Sequence, residues 1–215
     1  MTAQRRIKSI WKNNGLSIVV FALFAAFLVA QCFTGWVDEN AERLEHGLMV
    51  QSLWAYLCSG SFLEVTMENW ESEFLQMFAY VLLTAMLYQR GSAESKAIPD
   101  ESSPDDSSPD NSSRPQQRCS PRTFKRWLYE HSLSLAFLAL FLFAFVLHAI
   151  GGMENYNEQL ALHRQPALTL LQYFISARFW FESFQNWQSE FLSLGAMAVL
   201  SIFLREKGSP ESKPV

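Results

Sequence analysis

The most specific chemical spacing in the chain is a short motif that occurs twice. Asn-Trp-x-Ser-Glu-Phe-Leu runs from Asn69 to Leu75 and again from Asn186 to Leu192. On a helix, residues at i, i+3 and i+4 share a face. Asn69, Ser72 and Glu73 therefore line up, as do Asn186, Ser189 and Glu190. Gln76 and Ser193 follow each motif at matching depth. Gln31 and His148 stand at matching positions in two long apolar runs. Lipid offers no partner to such groups, so they are expected to find one another. The expectation is a polar layer in the outer leaflet, with Glu73 and Glu190 bonded to Gln31, His148 and the two Asn residues. Such a layer can lock helices together and cap their starts, where a carboxylate suits the positive helix end. The sharper alternative is a proton, cation or small-solute site, with His148 and Glu190 as the titrating pair.

Other chemistry finds less support. His46 and His163 correspond, but neither has a Cys, His or carboxylate beside it at ligand spacing in both copies, so no metal site is expected. Cys32, Cys58 and Cys119 have no counterparts, and whether Cys32 pairs with Cys58 stays open. There is no Gly-rich phosphate loop, nucleophile elbow or zinc-protease helix. No catalytic residue, metal or cofactor is expected. A net charge of −4 gives no reason to expect nucleic acid as a partner.

The elements that must position these groups are apolar runs. Leu16–Gly35 and Ser132–Met153 carry no charge, and each is long enough to cross the roughly 30 Å of a bilayer core as a helix. Phe74–Tyr88 and Phe191–Leu204 are shorter. Counted from Trp70 and Trp187, they too reach spanning length. A soluble bundle helix would show polar residues every third or fourth position, and the first and third runs do not.

A shift of 117 residues aligns Asn14–Lys96 with the second half of the chain without a gap, about a third of positions being identical. Its copy in mid-chain makes the first run a span rather than a cleaved signal. Each unit holds two spans and returns to its starting side, so the copies are parallel rather than inverted. Fourteen of the 17 basic residues lie at the N-terminus, in the middle linker or in the tail. Basic residues near spans stay cytoplasmic, which places both termini and the linker inside.

The outer segments read as amphipathic interfacial helices that run into the even-numbered spans. In the first copy Glu64, Glu68 and Glu71 fall together on one face. In the second, Phe179, Trp180, Phe181, Phe184, Trp187 and Phe191 form a denser aromatic face. Gly60 marks a break before the first of these helices, and Gly91 and Gly208 read as C-caps of the even spans. Three Pro-acid-Ser pentads between Pro99 and Ser113 read as a disordered spacer. The basic stretch Arg114–Arg126 suits anionic lipid.

Asn69–Gln76, Gln89–Lys96 and Trp11–Ser17 resemble an uncharacterised bacterial multi-pass membrane-protein family known as a domain of unknown function. The resemblance covers most of the chain. It implies an envelope protein and supplies no activity or ligand. The second copy departs from the pattern at Gln188 for Glu71, Ser193 for Gln76 and Glu206 for Gln89.

The expected protein is therefore all-α, with four spans as two tandem parallel-repeat hairpins in the bacterial inner membrane. Residues 1–97 form the first repeat (spans 16–35 and 70–89), 98–126 the linker, and 127–215 the second repeat (spans 132–153 and 187–205). Its partners are the lipid bilayer and either further copies of itself or other membrane proteins. The first functional expectation is a non-enzymatic structural or interaction component. A small transporter or channel subunit comes second, and a membrane enzyme acting on lipid third.

Overall fold

The computed structural model describes residues 3–89, 124–209 and 211. Its regular structure among these residues is all α-helix, with no strand: α1 (Ala3–Glu45), α2 (Leu53–Leu57), α3 (Gly60–Met86), α4 (Phe124–Glu130), α5 (Ser132–Leu162), α6 (Leu170–Phe174) and α7 (Ala177–Phe203). Of the expected linker, 98–123 lies outside the described residues, as does Gly91, while 124–126 opens α4. The chain divides into two compact units, Met1–Leu63 and Glu64–Val215, with the boundary inside α3.

In the first unit α1 kinks at Asn14, whose backbone leaves helical geometry (φ −132°, ψ 16°). The helix stops where Gly47 turns left-handed (φ 72°). The Leu48 N–H then reaches the Arg43 carbonyl at 2.8 Å and the Gly47 N–H reaches that of Leu44 at 3.0 Å, which satisfies carbonyls the helix end would leave bare. Asn40 clasps the returning chain. Its Oδ1 accepts from the Gln51 N–H at 2.7 Å, and its Nδ2 donates to the Gln51 carbonyl at 3.1 Å. Ser52 then caps α2 by accepting from the Ala55 N–H. Tyr56 is buried with its hydroxyl against the Cα of Gly35, where a methyl group would collide with it. Gly60 opens α3, and Ser59 accepts from the Phe62 N–H.

In the second unit α5, α6 and α7 use the same devices. Arg164 takes the left-handed position (φ 55°), and the Gln165 N–H reaches the Leu160 carbonyl at 2.9 Å. Asn157 clasps Leu168 through both its N–H (2.7 Å) and its carbonyl (3.0 Å). Thr169 caps α6 in a reciprocal box with Gln172, the Thr-x-x-Gln pattern of a helix start. Tyr173 is fully buried, its hydroxyl packed on Gly152. Ser176 caps α7. The short helices α2 and α6 are a feature the apolar runs do not announce. The C-cap expected at Gly208 is corrected: α7 ends at Phe203 with an extended Leu204. Gly208 is left-handed (φ 87°) in a separate turn closed by the Ser209 N–H on the Glu206 carbonyl.

Among the described residues, two helical segments are long and apolar enough to cross a membrane, Ile10–Glu45 and Ser132–Leu162. At 1.5 Å per residue they measure about 54 and 46 Å. None of the most apolar stretch of the first is buried, and only 17% of that of the second. The 27-residue helices α3 and α7 are long enough, but they fall outside that class. Glu64, Glu68, Glu71 and Glu73 crowd the first half of α3.

Several charged and polar side chains are buried while many large apolar ones are exposed. Among the described residues the buried set includes Glu64, Thr66, Glu71, Ser72, His148, Ser183 and Ser201. Phe21, Phe27, Phe143, Phe181, Leu192 and Phe203 are all more than half exposed. A carboxylate is almost never fully buried unless it is paired, and large exposed apolar surfaces mark a contact with something apolar.

Candidate functional site

The site lies within the second unit, where α3, α5, α6 and α7 bring a carboxylate–imidazole cluster together. Glu64, Glu68 and Glu71, spaced i, i+4 and i+7, present one face of α3. His148 and Asn155, a heptad apart, present one face of α5. Tyr173 comes from α6. Arg178, Glu182 and Asn186, each four residues apart, come from α7 with Trp187.

At the centre, His148 and Glu71 are both fully buried, with Nδ1 2.8 Å from Glu71 Oε2. The other Glu71 oxygen accepts from Trp187 Nε1–H at 2.9 Å. On the far side of the ring, His148 Nε2 stands 3.8 Å from Glu182 Oε2. That nitrogen is buried and makes no hydrogen bond among the described residues. Phe179, also fully buried, lies against the ring at 4.9 Å between centroids.

Glu182 is held from three sides. Tyr173 OH donates to its Oε2 at 3.0 Å, Arg178 Nε donates to its Oε1 at 2.9 Å, and His148 faces it. Burial opposes its ionisation, but these partners outweigh burial and hold its carboxyl below the usual range. Arg178 also donates to Gln159 at 3.1 Å and lies 4.8 Å over the Tyr156 ring. Glu64 accepts from Asn155 Nδ2 at 2.5 Å, and its Oε1 is 3.4 Å from Tyr173 OH. Burial pushes the Glu64 carboxyl up against the lowering effect of Asn155. Burial likewise raises Glu68, which accepts from Asn186 Nδ2 at 2.5 Å. Tyr173 is pushed far up by burial and then by the Glu64 and Glu182 carboxylates, so it remains an O–H group. Burial and the Glu182 carboxylate push Glu64 and Glu68 up, while Asn155 and the Arg178 cation pull Glu64 the other way.

The expected polar layer is partly redrawn. His148 is in the site, but its partners are Glu71 and Glu182, not Glu73 or Glu190. Glu73 is exposed because it lies two residues beyond Glu71, on another face of α3. Asn186 is in the site through Glu68, whereas Asn69 is exposed and donates to its own helix at the Val65 carbonyl. Ser72 and Ser189 bond back to the carbonyls of Asn69 and Asn186. Gln76 donates to Ser193 Oγ at 2.7 Å and to the Glu190 carbonyl at 3.1 Å, which makes a separate bond between α3 and α7. Gln31 is half-buried in α1 of the first unit.

Asn155, Tyr173, Arg178 and Glu182 were not expected. The available signal was the Glu64–Glu68–Glu71 face, an acidic stripe on an apolar helix. The expected aromatic face also divides. Phe179 turns inward under His148, while Phe181 and Phe184 are exposed. Cys32 and Cys58 are both free thiols. Among the described residues no group of His, Cys, Asp and Glu could hold a metal ion.

A family model described as Domain of unknown function (DUF6766) matches residues 7–215. The chain belongs to the DUF6766 family. Comparison with curated proteins and with solved structures gives no match. In this DUF6766 chain the cluster uses Glu71 and Glu68, whose counterparts in the second half are Gln188 and Gln185. The chemistry is therefore built from one copy of each position, not from both.

Proposed function

We propose that this DUF6766 protein is a multi-pass component of the bacterial inner membrane that works by helix packing and interaction, without catalysis. In this reading α1, α3, α5 and α7 contain four spans arranged as two parallel hairpins. Both termini and the 98–126 linker are cytoplasmic. The buried cluster ties α3 to α5, α6 and α7 at the outer ends of the spans, where such bonds add to helix packing.

The observation that carries the reading is the large apolar surface left exposed on α1, α5 and α7 beside carboxylates and an imidazole that are buried. The charge distribution supports the orientation, with 14 of 17 basic residues on the proposed inner side. The closed burial of His148 and Glu71 favours a packing role over an open solute path. A groove of about 530 Å³ is lined by Phe145, Val146, Ala149, Leu170, Leu171 and Phe174. That apolar lining suits an acyl chain better than it suits lipid chemistry.

Reporter fusions test the topology. Reporters at Ser107 and at Val215 should be active only in cytoplasmic form. Periplasmic activity at either, or recovery of the chain as a dissolved monomer without detergent, overturns the reading.

A further inference from the structure

Two contacts of the cluster each need a proton, and a single proton can satisfy only one of them at a time. Tyr173 OH has one hydrogen and two carboxylate neighbours, Glu182 Oε2 at 3.0 Å and Glu64 Oε1 at 3.4 Å. If the hydroxyl donates to Glu182, the contact with Glu64 is a hydrogen bond only when Glu64 carries a proton and donates it. On the other side of Glu182, His148 Nε2 is buried without a hydrogen bond and is aimed at the same Glu182 oxygen. A proton on Glu64 satisfies the first contact, and a proton on Nε2 satisfies the second.

We propose that Glu64, Tyr173, Glu182 and His148 form a buried proton-binding relay in which one proton is shared between Glu64 and His148. The transfer balances without any oxidant or reductant. The Glu64 O–H bond breaks as the Tyr173 oxygen takes that proton. The hydrogen that Tyr173 carried passes to Glu182 Oε2. Glu182 then closes the 3.8 Å separation and delivers the proton to His148 Nε2. Glu64 ends as a carboxylate and His148 as an imidazolium, Tyr173 and Glu182 are restored, and the charge of the cluster is unchanged. Glu71 anchors the other ring nitrogen. A Glu71 carboxylate can only accept, so in this relay the ring directs its Nδ1 hydrogen at Glu71 Oε2, which leaves Nε2 as the exchanging atom.

The charged and titratable groups around the path are Glu64, Glu68 and Glu71 on α3, Tyr173 on α6, and Arg178 and Glu182 on α7. Burial holds protons on Glu64 and Glu68 above the ordinary carboxyl range, so Glu64 can store one. Glu182 and Arg178 are less buried than His148, and they form the rim at which the relay meets its surroundings. The inference goes beyond the packing role and does not depend on which side of a membrane the termini occupy.

The test uses the full-length protein in lipid nanodiscs. Just above the ordinary carboxyl range of pH the infrared spectrum should contain protonated-carboxyl absorption that weakens in Glu64→Gln, an isostere of the protonated acid that preserves the Tyr173 contact, and the remainder should go when Glu68→Gln is added. Nitrogen NMR should show the His148 Nε2 proton in exchange. In Tyr173→Phe that exchange should slow by about a hundredfold, the scale of a lost positioned proton donor, while helicity is kept. A spectrum without protonated-carboxyl absorption at that pH overturns the relay, and so does absorption of undiminished strength in Glu64→Gln. Unchanged His148 exchange in Tyr173→Phe overturns it as well. If Glu64→Gln does not fold, the wild-type spectrum and the Tyr173→Phe rate decide.

Discussion

The two long–short–long helical runs share a scaffold and differ in their chemistry. In both, an Asn clasps the returning backbone (Asn40 on Gln51, Asn157 on Leu168), and a Tyr hydroxyl packs against a Gly (Tyr56 on Gly35, Tyr173 on Gly152). Around Tyr173 stand Glu64 and Glu182, with His148 beyond. The sequence positions that match Glu182, Arg178 and His148 in the first half are Val65, Ser61 and Gln31. Near Tyr56 the acids are Glu39 and Asp38, which together with burial raise its hydroxyl, and Glu39 accepts from Ser61 at 3.0 Å. The scaffold residues are thus separable from the residues that carry charge inside.

The largest break in this comparison should come from Glu71→Ala. It strips the buried His148 ring of its shortest partner, and unpairing a buried ion costs about 3–5 kcal/mol. Gln31→Ala, at the position matching His148, should cost clearly less, because no buried ion is left unpaired. Thermal unfolding of both variants in the same detergent makes the comparison, and equal losses would erase the distinction between the halves.

Gly152→Ala should follow. A methyl group there meets the Tyr173 hydroxyl and the Glu64 carboxyl. Overpacking alone costs about 1–3 kcal/mol, and displaced hydroxyl contacts add to it. Gly35→Ala meets only the Tyr56 ring and hydroxyl, so it should pay the steric part and be the milder of the pair.

The pH dependence should be smaller and confined to the second unit. Glu64 and Glu68 have folded-state pKa values raised above the ordinary 4.5. Their stabilising contribution is complete below that value and is lost as pH rises through the raised values. Glu182 is lowered, so its contribution is present above 4.5 and is lost as pH falls through its depressed value. Unfolding temperature should therefore decline as pH rises above 4.5. Glu64→Gln with Glu68→Gln should flatten that decline, and an unaltered slope would remove these two acids as its source.

The smallest effect sharpens the scaffold. Gly47 and Arg164 both adopt left-handed geometry after their helices. An L side chain there costs about 1–2 kcal/mol. Arg164→Gly should stabilise and Gly47→Ala destabilise by about 1 kcal/mol each, measured by the same unfolding experiment.

Much of the architecture was legible. Charge-free runs predicted α1 and α5, and helices so apolar leave few other conformations open. Gly60 marked the break before α3, while the Ser and Thr caps, whose side chains satisfy N–H groups that every helix start leaves unpaired, emerge only in the structure. The site was legible only as a set of faces. Glu73 and Glu190 stand in the repeated motif and drew attention through repetition. The buried acids Glu64 and Glu71 have Phe181 and Gln188 at the matching positions, so self-comparison passes over them.

By itself the sequence determined the helical character, the apolar lengths, the matching Tyr56 and Tyr173 positions and the basic character of the ends, because each follows from residue types and spacing along one chain. Only the tertiary structure decided that His148 meets Glu71 and Glu182, separated from it in sequence by 77 and 34 residues. The rotation of each helix about its own axis selects which of several polar faces turns inward. That rotation is set by close packing, such as Tyr173 on Gly152 and Phe179 on His148, rather than by local preference.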